Sequence, residues 1–64
     1  MPCNLLVYDT NSKEKTTYVC DEDTTTRVVE DDFAIKSSGE YTDVEGKSFG
    51  VDWENCRLIG FART

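Results

Sequence analysis

Apolar and polar positions alternate over short distances along most of this chain, a pattern typical of β-strands. The segments CNLLVY and KTTYVC are rich in residues that favour strands, and the turn-like DTNSK at positions 9–13 separates them. Residues 3–20 are therefore predicted to form a β-hairpin. Both strands carry apolar residues on both faces, so the pattern leaves the register of this hairpin open.

The C-terminal segment EYTDVEGKSFGVDWENCRLIGF, positions 40–61, predicts a three-stranded meander. Glu45-Gly46 and Glu54-Asn55 are candidate two-residue turns, because glycine and asparagine tolerate the positive φ that such turns need. In the resulting register Thr42 faces Phe49, and Tyr41 faces Gly50. The second turn makes Val51 face Leu58 and Asp52 face Arg57.

This register divides the apolar residues between two faces of the sheet. Trp53 falls on the face predicted to form the core, whose members are Thr42, Val44, Phe49, Val51, Trp53, Cys56 and Leu58. Tyr41, Ile59 and Phe61 fall on the opposite face. A sheet that is apolar on both faces is usually covered on both, so we expect part of the second face to serve a partner or a second subunit.

The segment between these units, positions 21–37, has two interpretations. TTTRVV favours a strand by its β-branching, whereas Asp23 or Thr24 could cap a short helix that carries Val28, Val29 and Phe33 on one side. The predicted fold of the single domain, residues 1–64, is mainly β: a small antiparallel sheet or barrel built from the N-terminal hairpin and the meander. The alternative is an α+β fold with one short helix within 24–36.

Acidic residues outnumber basic ones 13 to 7, which gives a net charge of −6. Positions 21–54 hold eleven of these acids and only three bases, so that segment alone carries −8. Such a field repels phosphate and anionic lipid and attracts basic surfaces. We therefore expect a basic protein surface as partner, with no direct binding to nucleic acid or membrane.

The chain offers few signs of secretion, metal binding or catalysis. The longest apolar run, LLVY at positions 5–8, is far short of the ~18 residues of a membrane span, and MPCNLL lacks the features of a signal peptide. A cytoplasmic protein with reduced cysteines is expected. Absence of histidine removes the commonest general base, so we predict no enzyme, no catalytic residue and no cofactor.

The stretch DEDTTTRVVEDD, positions 21–32, matches a calcium-binding EF-hand loop only in part. Asp21, Asp23 and Thr25 fall at three ligand positions, but Thr26 replaces the required glycine and Asp32 the required glutamate. Cys3, Cys20 and Cys56 lack the close spacing of a zinc site and are predicted to be buried thiols, with a Cys3–Cys20 disulfide as the alternative. No metal site is predicted.

The acidic residues are then either a solvated face or a surface for a basic partner. We expect the second: a protein-binding module in which aromatic side chains supply the buried anchors. By analogy of size and charge with small acidic proteins of phages and mobile elements, its most specific form is an inhibitor that mimics nucleic acid at a basic site. The alternative is a structural accessory subunit or homo-oligomer that uses an apolar sheet face. The predicted partner-binding residues are Asp21, Glu22, Asp23, Glu30, Asp31, Asp32, Glu40, Tyr41, Asp43, Glu45, Ile59 and Phe61.

Overall fold

The computed structural model describes residues 1–63, which form five strands and one helix in two layers. In chain order the elements are β1 (Cys3–Asp9), β2 (Lys15–Cys20), α1 (Glu22–Ala34), β3 (Gly39–Thr42), β4 (Ser48–Val51) and β5 (Cys56–Arg63). The strands make a three-stranded sheet in the order β2-β1-β5 and a two-stranded sheet of β3 and β4, both antiparallel. The mainly-β class is confirmed, as two separate sheets and not as a closed barrel within these residues.

The N-terminal hairpin forms as predicted, and the structure supplies its register. Leu5 pairs with Tyr18, and Cys3 pairs with Cys20. Cys3, Leu5 and Val7 are buried while their neighbours are more exposed, because alternate side chains of a strand point to opposite faces. This buried face of β1 forms the centre of the core.

The predicted register of the meander is wrong by one residue. Tyr41 pairs with Phe49, and Thr42 pairs with Ser48. The turn is longer than the predicted Glu45-Gly46 pair: Asp43 N–H bonds to the Lys47 carbonyl, and Gly46 takes φ 86°. A three-residue loop that ends in a left-handed residue is a common hairpin connection. One extra residue moves the side chains of β3 to the other face relative to β4, so Tyr41 points into the core with Val51 and Thr42 is exposed.

The third strand of the predicted meander pairs elsewhere. β5 hydrogen-bonds to β1, with Val7 opposite Leu58 and Leu5 opposite Phe61, and a bulge lies between these pairs. Asp52 ends β4 by accepting the N–H of Glu54 and the side-chain amide of Asn55. This turn directs the chain out of the small sheet and into the large one, so the predicted Asp52–Arg57 cross-strand pair does not form.

Residues 21–37 adopt the helical alternative, and the helix begins earlier than predicted. Its cap is Asp21 in place of Asp23 or Thr24. Val28 is fully buried, but Phe33, expected on the same side, is exposed. The helix ends at Ala34, and its C-terminal cap, Ile35, has φ 54°. This is an uncommon conformation for a β-branched residue.

The core lies between the large sheet and the layer formed by α1, β3 and β4. Trp53, in the turn before β5, is fully buried, so its predicted place in the core is confirmed. Tyr18 of β2 stacks on Phe49 of β4 with ring centroids 4.0 Å apart, which joins the two sheets. The largest fully buried side chains are Leu5, Cys20, Val28 and Trp53.

We predict that Gly39→Ala destabilises the protein more than Gly60→Ala. A Cβ at Gly39 would lie 2.6 Å from the Tyr41 Cζ and closer still to its hydroxyl. Displacing that hydroxyl breaks buried hydrogen bonds at a cost of about 1–3 kcal/mol. A Cβ at Gly60, also in a strand, meets no atom within 4 Å. Urea unfolding of the two variants measures the difference; equal losses would contradict the close packing of Tyr41.

Candidate functional site

Helix α1 begins at its observed position because Asp21 caps it. The Asp21 carboxylate accepts the N–H of Thr24 at 2.8 Å, and this hydrogen bond lowers the pKa of Asp21. Glu22 and Asp23 lie in the first turn, where negative charge interacts favourably with the positive end of the helix dipole. The first acids of DEDTTTRVVEDD therefore stabilise the start of a helix.

A chain of hydrogen bonds connects the last turn of the helix to β3 and to the turn before β5. The Trp53 indole N–H donates to the Tyr41 hydroxyl at 2.8 Å, and that hydroxyl donates to Asp31 at 2.6 Å. The Lys36 ammonium lies 3.3 Å from the other oxygen of the same carboxylate. The hydrogen bond from Tyr41 lowers the pKa of Asp31. Together these contacts connect α1 to β3 and to the turn before β5.

The other carboxylate of the last turn holds β5. Asp32 accepts the backbone N–H of Leu58 at 3.1 Å. Asp9, Asp43 and Asp52 accept backbone N–H groups in their own turns. Aspartate suits this role because its short side chain reaches nearby backbone. Within residues 1–63, Asp23 is the one aspartate whose side chain accepts no hydrogen bond.

The predicted acidic field is therefore divided between two roles. Four of its members, Asp21, Asp31, Asp32 and Asp43, hold the helix or a turn. The other five are exposed: Glu22, Asp23, Glu30, Glu40 and Glu45. Among these five, Glu22 forms ion pairs, at 3.9 Å to the N-terminal amine and at 3.9 Å to Arg63. Such exposed pairs contribute little stability.

The aromatic part of the predicted surface is corrected at two positions. Tyr41 was expected to face a partner, but its side chain is 2% exposed and bonded within the core. The one-residue shift in register accounts for the difference, because it turns Tyr41 to the opposite face. Phe61 is 60% exposed, but it pairs with the buried Leu5 and so lies on the side of the sheet that faces α1. Ile59 is 49% exposed.

Two exposed apolar residues escaped the sequence analysis. Phe33 is 89% exposed in the last turn of α1, and Ile35 is 62% exposed at the end of the helix. Helical spacing alone separates Phe33 from the buried side: it lies five residues, about 140° around the helix, from Val28. The two exposed side chains at the C-terminal end of α1, Phe33 and Ile35, are called the Phe33–Ile35 projection below.

A groove with a volume of about 550 Å³ runs between α1 and the C-terminal half of β5. The two elements run in opposite directions, since Leu58 meets Asp32 at one end and Arg63 approaches Glu22 at the other. The helix wall is formed by side chains four and three residues apart, which share one face. The lining residues are Cys3, Glu22, Thr25, Thr26, Val29, Glu30, Phe61, Ala62 and Arg63.

No protein-family model, curated protein or solved structure matches this chain. Over residues 1–63, no helix combines the length and the hydropathy needed to cross a bilayer. The features of the protein that bear on its function are the exposed acids, the Phe33–Ile35 projection and the groove between α1 and β5.

Replacing Tyr41 with phenylalanine is expected to reduce the loss of stability at alkaline pH. Burial, with the neighbouring Asp31, raises the pKa of Tyr41 to about 12, above the ~10 of an unfolded tyrosine. Its stabilisation is complete below pH ~10 and is lost as pH rises towards 12. The unfolding free energy should therefore fall more between about pH 8 and about pH 11 in the wild type than in Tyr41→Phe. Equal losses would contradict a protonated hydroxyl bonded to Asp31.

Proposed function

We propose that this protein is a non-enzymatic acidic module that binds a basic surface on another protein through the exposed side of α1. The contact side combines the exposed carboxylates of Glu22, Asp23 and Glu30 with the Phe33–Ile35 projection. The observation that carries this proposal is the exposure of Phe33, which is 89% uncovered on a helix that buries Val28 completely.

An exposed aromatic ring on a small domain is costly to leave in water unless a partner covers it. Burying a phenylalanine side chain contributes roughly 1.5–3 kcal/mol, and binding energy at interfaces concentrates in such anchors. Ile35, two residues later, takes a left-handed conformation that β-branched residues rarely adopt. Unusual backbone of this kind occurs often at binding sites.

Charge at this end of the helix favours a cationic partner. The last turn of α1 carries no basic side chain, Lys36 just beyond it is paired with Asp31, and helix carbonyls concentrate negative charge at a C-terminus. Glu30, one turn before Phe33, adds a carboxylate that makes no hydrogen bond or ion pair in the described chain. An arginine or lysine of a partner that contacts Phe33 would meet this negative region.

The thiols support a binding role in preference to nucleophilic catalysis. Burial raises the pKa of Cys20 and of Cys56, which lowers the fraction of reactive thiolate. The sequence holds no histidine that could activate them. These features agree with a module that acts by occupying a surface.

In its most specific form the target surface is a nucleic-acid-binding site, and the protein is an inhibitor that competes with nucleic acid. Acidic side chains on a rigid helix present negative charge in a fixed arrangement, as a phosphate backbone does. The alternative, a homo-oligomer through an apolar sheet face, loses support because Tyr41 is buried and Phe61 lies on the side of the sheet that faces α1.

The test is competition against DNA on purified basic domains. A fluorescent duplex is bound to each of a panel of nucleic-acid-binding domains, and its displacement by this protein is followed by anisotropy at low and high salt. We expect displacement from at least one domain, with affinity falling as salt rises. Displacement from none at low salt would contradict the inhibitory form of the proposal.

Two variants with equal charge change locate the surface. The helix variant carries Glu22→Gln, Asp23→Asn and Glu30→Gln, and the loop variant carries Glu14→Gln, Glu45→Gln and Glu54→Gln. All six positions are exposed, and each variant removes three negative charges. The helix variant should lose about tenfold in affinity and the loop variant much less. Equal losses would mean that net charge, and not α1, governs binding.

A further inference from the structure

The groove between α1 and β5 has the form of a site for a peptide in extended conformation. We propose that an extended segment of the partner adds to the free edge of β5 over Gly60–Arg63 and lies in this groove. The inference rests on the proposed function, because the segment belongs to the basic partner, and it specifies how that partner is held.

One edge of β5 is open to strand pairing. β5 lies at the end of its sheet, and within residues 1–63 it pairs only with β1. Asp32 occupies the N–H of Leu58, and the bulge leaves Ile59 unpaired with β1; both features block pairing at these two residues. Gly60–Arg63 remains open over roughly 14 Å, enough for about four residues of a partner.

The shape of the groove suits a strand added beside β5. Alternate side chains of such a strand would point inward, between the sheet and α1, as in domains that bind peptides by strand addition. The inner surface there is largely apolar, formed by Cys3, Val29 and the exposed ring of Phe61. One inward apolar side chain of the partner would cover that ring.

The helix wall of the groove selects for basic segments. Glu30 is exposed on this wall and has no partner among the described residues, while Glu22 is engaged only by exposed ion pairs at 3.9 Å. A lysine or arginine two residues from the inward apolar side chain points to the same side and would pair with Glu30, whereas a carboxylate would be repelled. The segment that fits therefore carries apolar and basic residues at alternating inward positions, two residues apart.

A second copy of this chain fits the groove less well. Each copy carries a net charge of −6, so association is opposed by repulsion. The strand that a second copy would offer, β5, contains Arg57 and Arg63 and no acid, and paired β5 strands would bring arginines together. The occupant is therefore a segment of a different, basic protein.

Strand addition is tested with a capped peptide of about seven residues that carries lysine, valine and lysine at alternate positions with threonine between them, so that valine and lysine face α1 together. Isotope-labelled protein is titrated with this peptide, with an analogue in which glutamate replaces lysine, and with two analogues N-methylated along one or the other edge. We expect the amide signals of Gly60–Arg63 to shift, the glutamate analogue to bind weakly, and methylation of the paired edge to lower affinity about tenfold. Equal binding of both methylated peptides and the parent, or no binding, would overturn the proposal.

Two matched substitutions place the peptide on the correct side of β5. Phe61→Lys puts a charge in the groove, whereas Ile59→Lys makes the same charge change at an exposed residue outside the lining. Phe61→Lys should lower peptide affinity about tenfold and Ile59→Lys by less than about twofold. Equal effects would contradict the groove as the site. If Phe61→Lys fails to fold, the methylated peptides still test on wild-type protein whether the peptide pairs with the edge of β5.

The two proposals fail separately. If the peptide series shows no edge-specific binding while the helix variant still loses DNA competition, strand addition is wrong and the acidic module stands. If edge-specific binding is found but no basic domain releases DNA, the groove is a peptide site and the inhibitory role is wrong. A dimer in sedimentation that Phe61→Lys dissociates would assign the groove to a second copy and overturn the inference.

Discussion

The hydrogen bond from Tyr41 to Asp31 is the contact on which the arrangement of the layers depends. Tyr41 lies on β3, Asp31 lies on α1, and Trp53, which donates to the same hydroxyl, precedes β5. One phenol group therefore links the helix to β3 and to the turn before β5. It also satisfies a carboxylate at the negative end of the helix dipole, where a free acid would be unfavourable. The groove between α1 and β5 exists only while the helix is held there.

The acidic residues divide by side-chain length. Aspartates such as Asp21, Asp31 and Asp32 reach backbone N–H groups or a core hydroxyl and so stabilise the fold. Most glutamates extend into solvent and are free to meet a partner. The net charge of −6 thus overstates the charge available for recognition, and the position of the exposed acids on α1 matters more than their number.

The sequence predicted best those features whose signal lies within a few neighbouring residues, and it predicted poorly those that depend on pairing between distant strands. Alternation with a turn motif was enough for the N-terminal hairpin, and Trp53 was correctly placed in the core. The C-terminal strands could not be paired from local pattern, because a turn one residue longer reverses the faces and β1 competes for β5. For the same reason Tyr41 appeared to be a surface residue. The exposed Phe33 was missed because it was placed on one helix face with Val28, although a spacing of five residues separates the two by about 140° around the helix.

A double-mutant cycle between Asp31 and Tyr41 tests most directly whether the hydrogen bond between these two side chains stabilises the fold. Unfolding free energies are measured for Asp31→Ala, Tyr41→Phe and the double variant, with Glu30→Ala in place of Asp31→Ala as the control cycle. Helix propensity and the loss of the Trp53 bond cancel within each cycle. We predict a coupling of about 1.5–3 kcal/mol for Asp31 with Tyr41 and close to zero for Glu30. A coupling near zero for Asp31 would contradict the account.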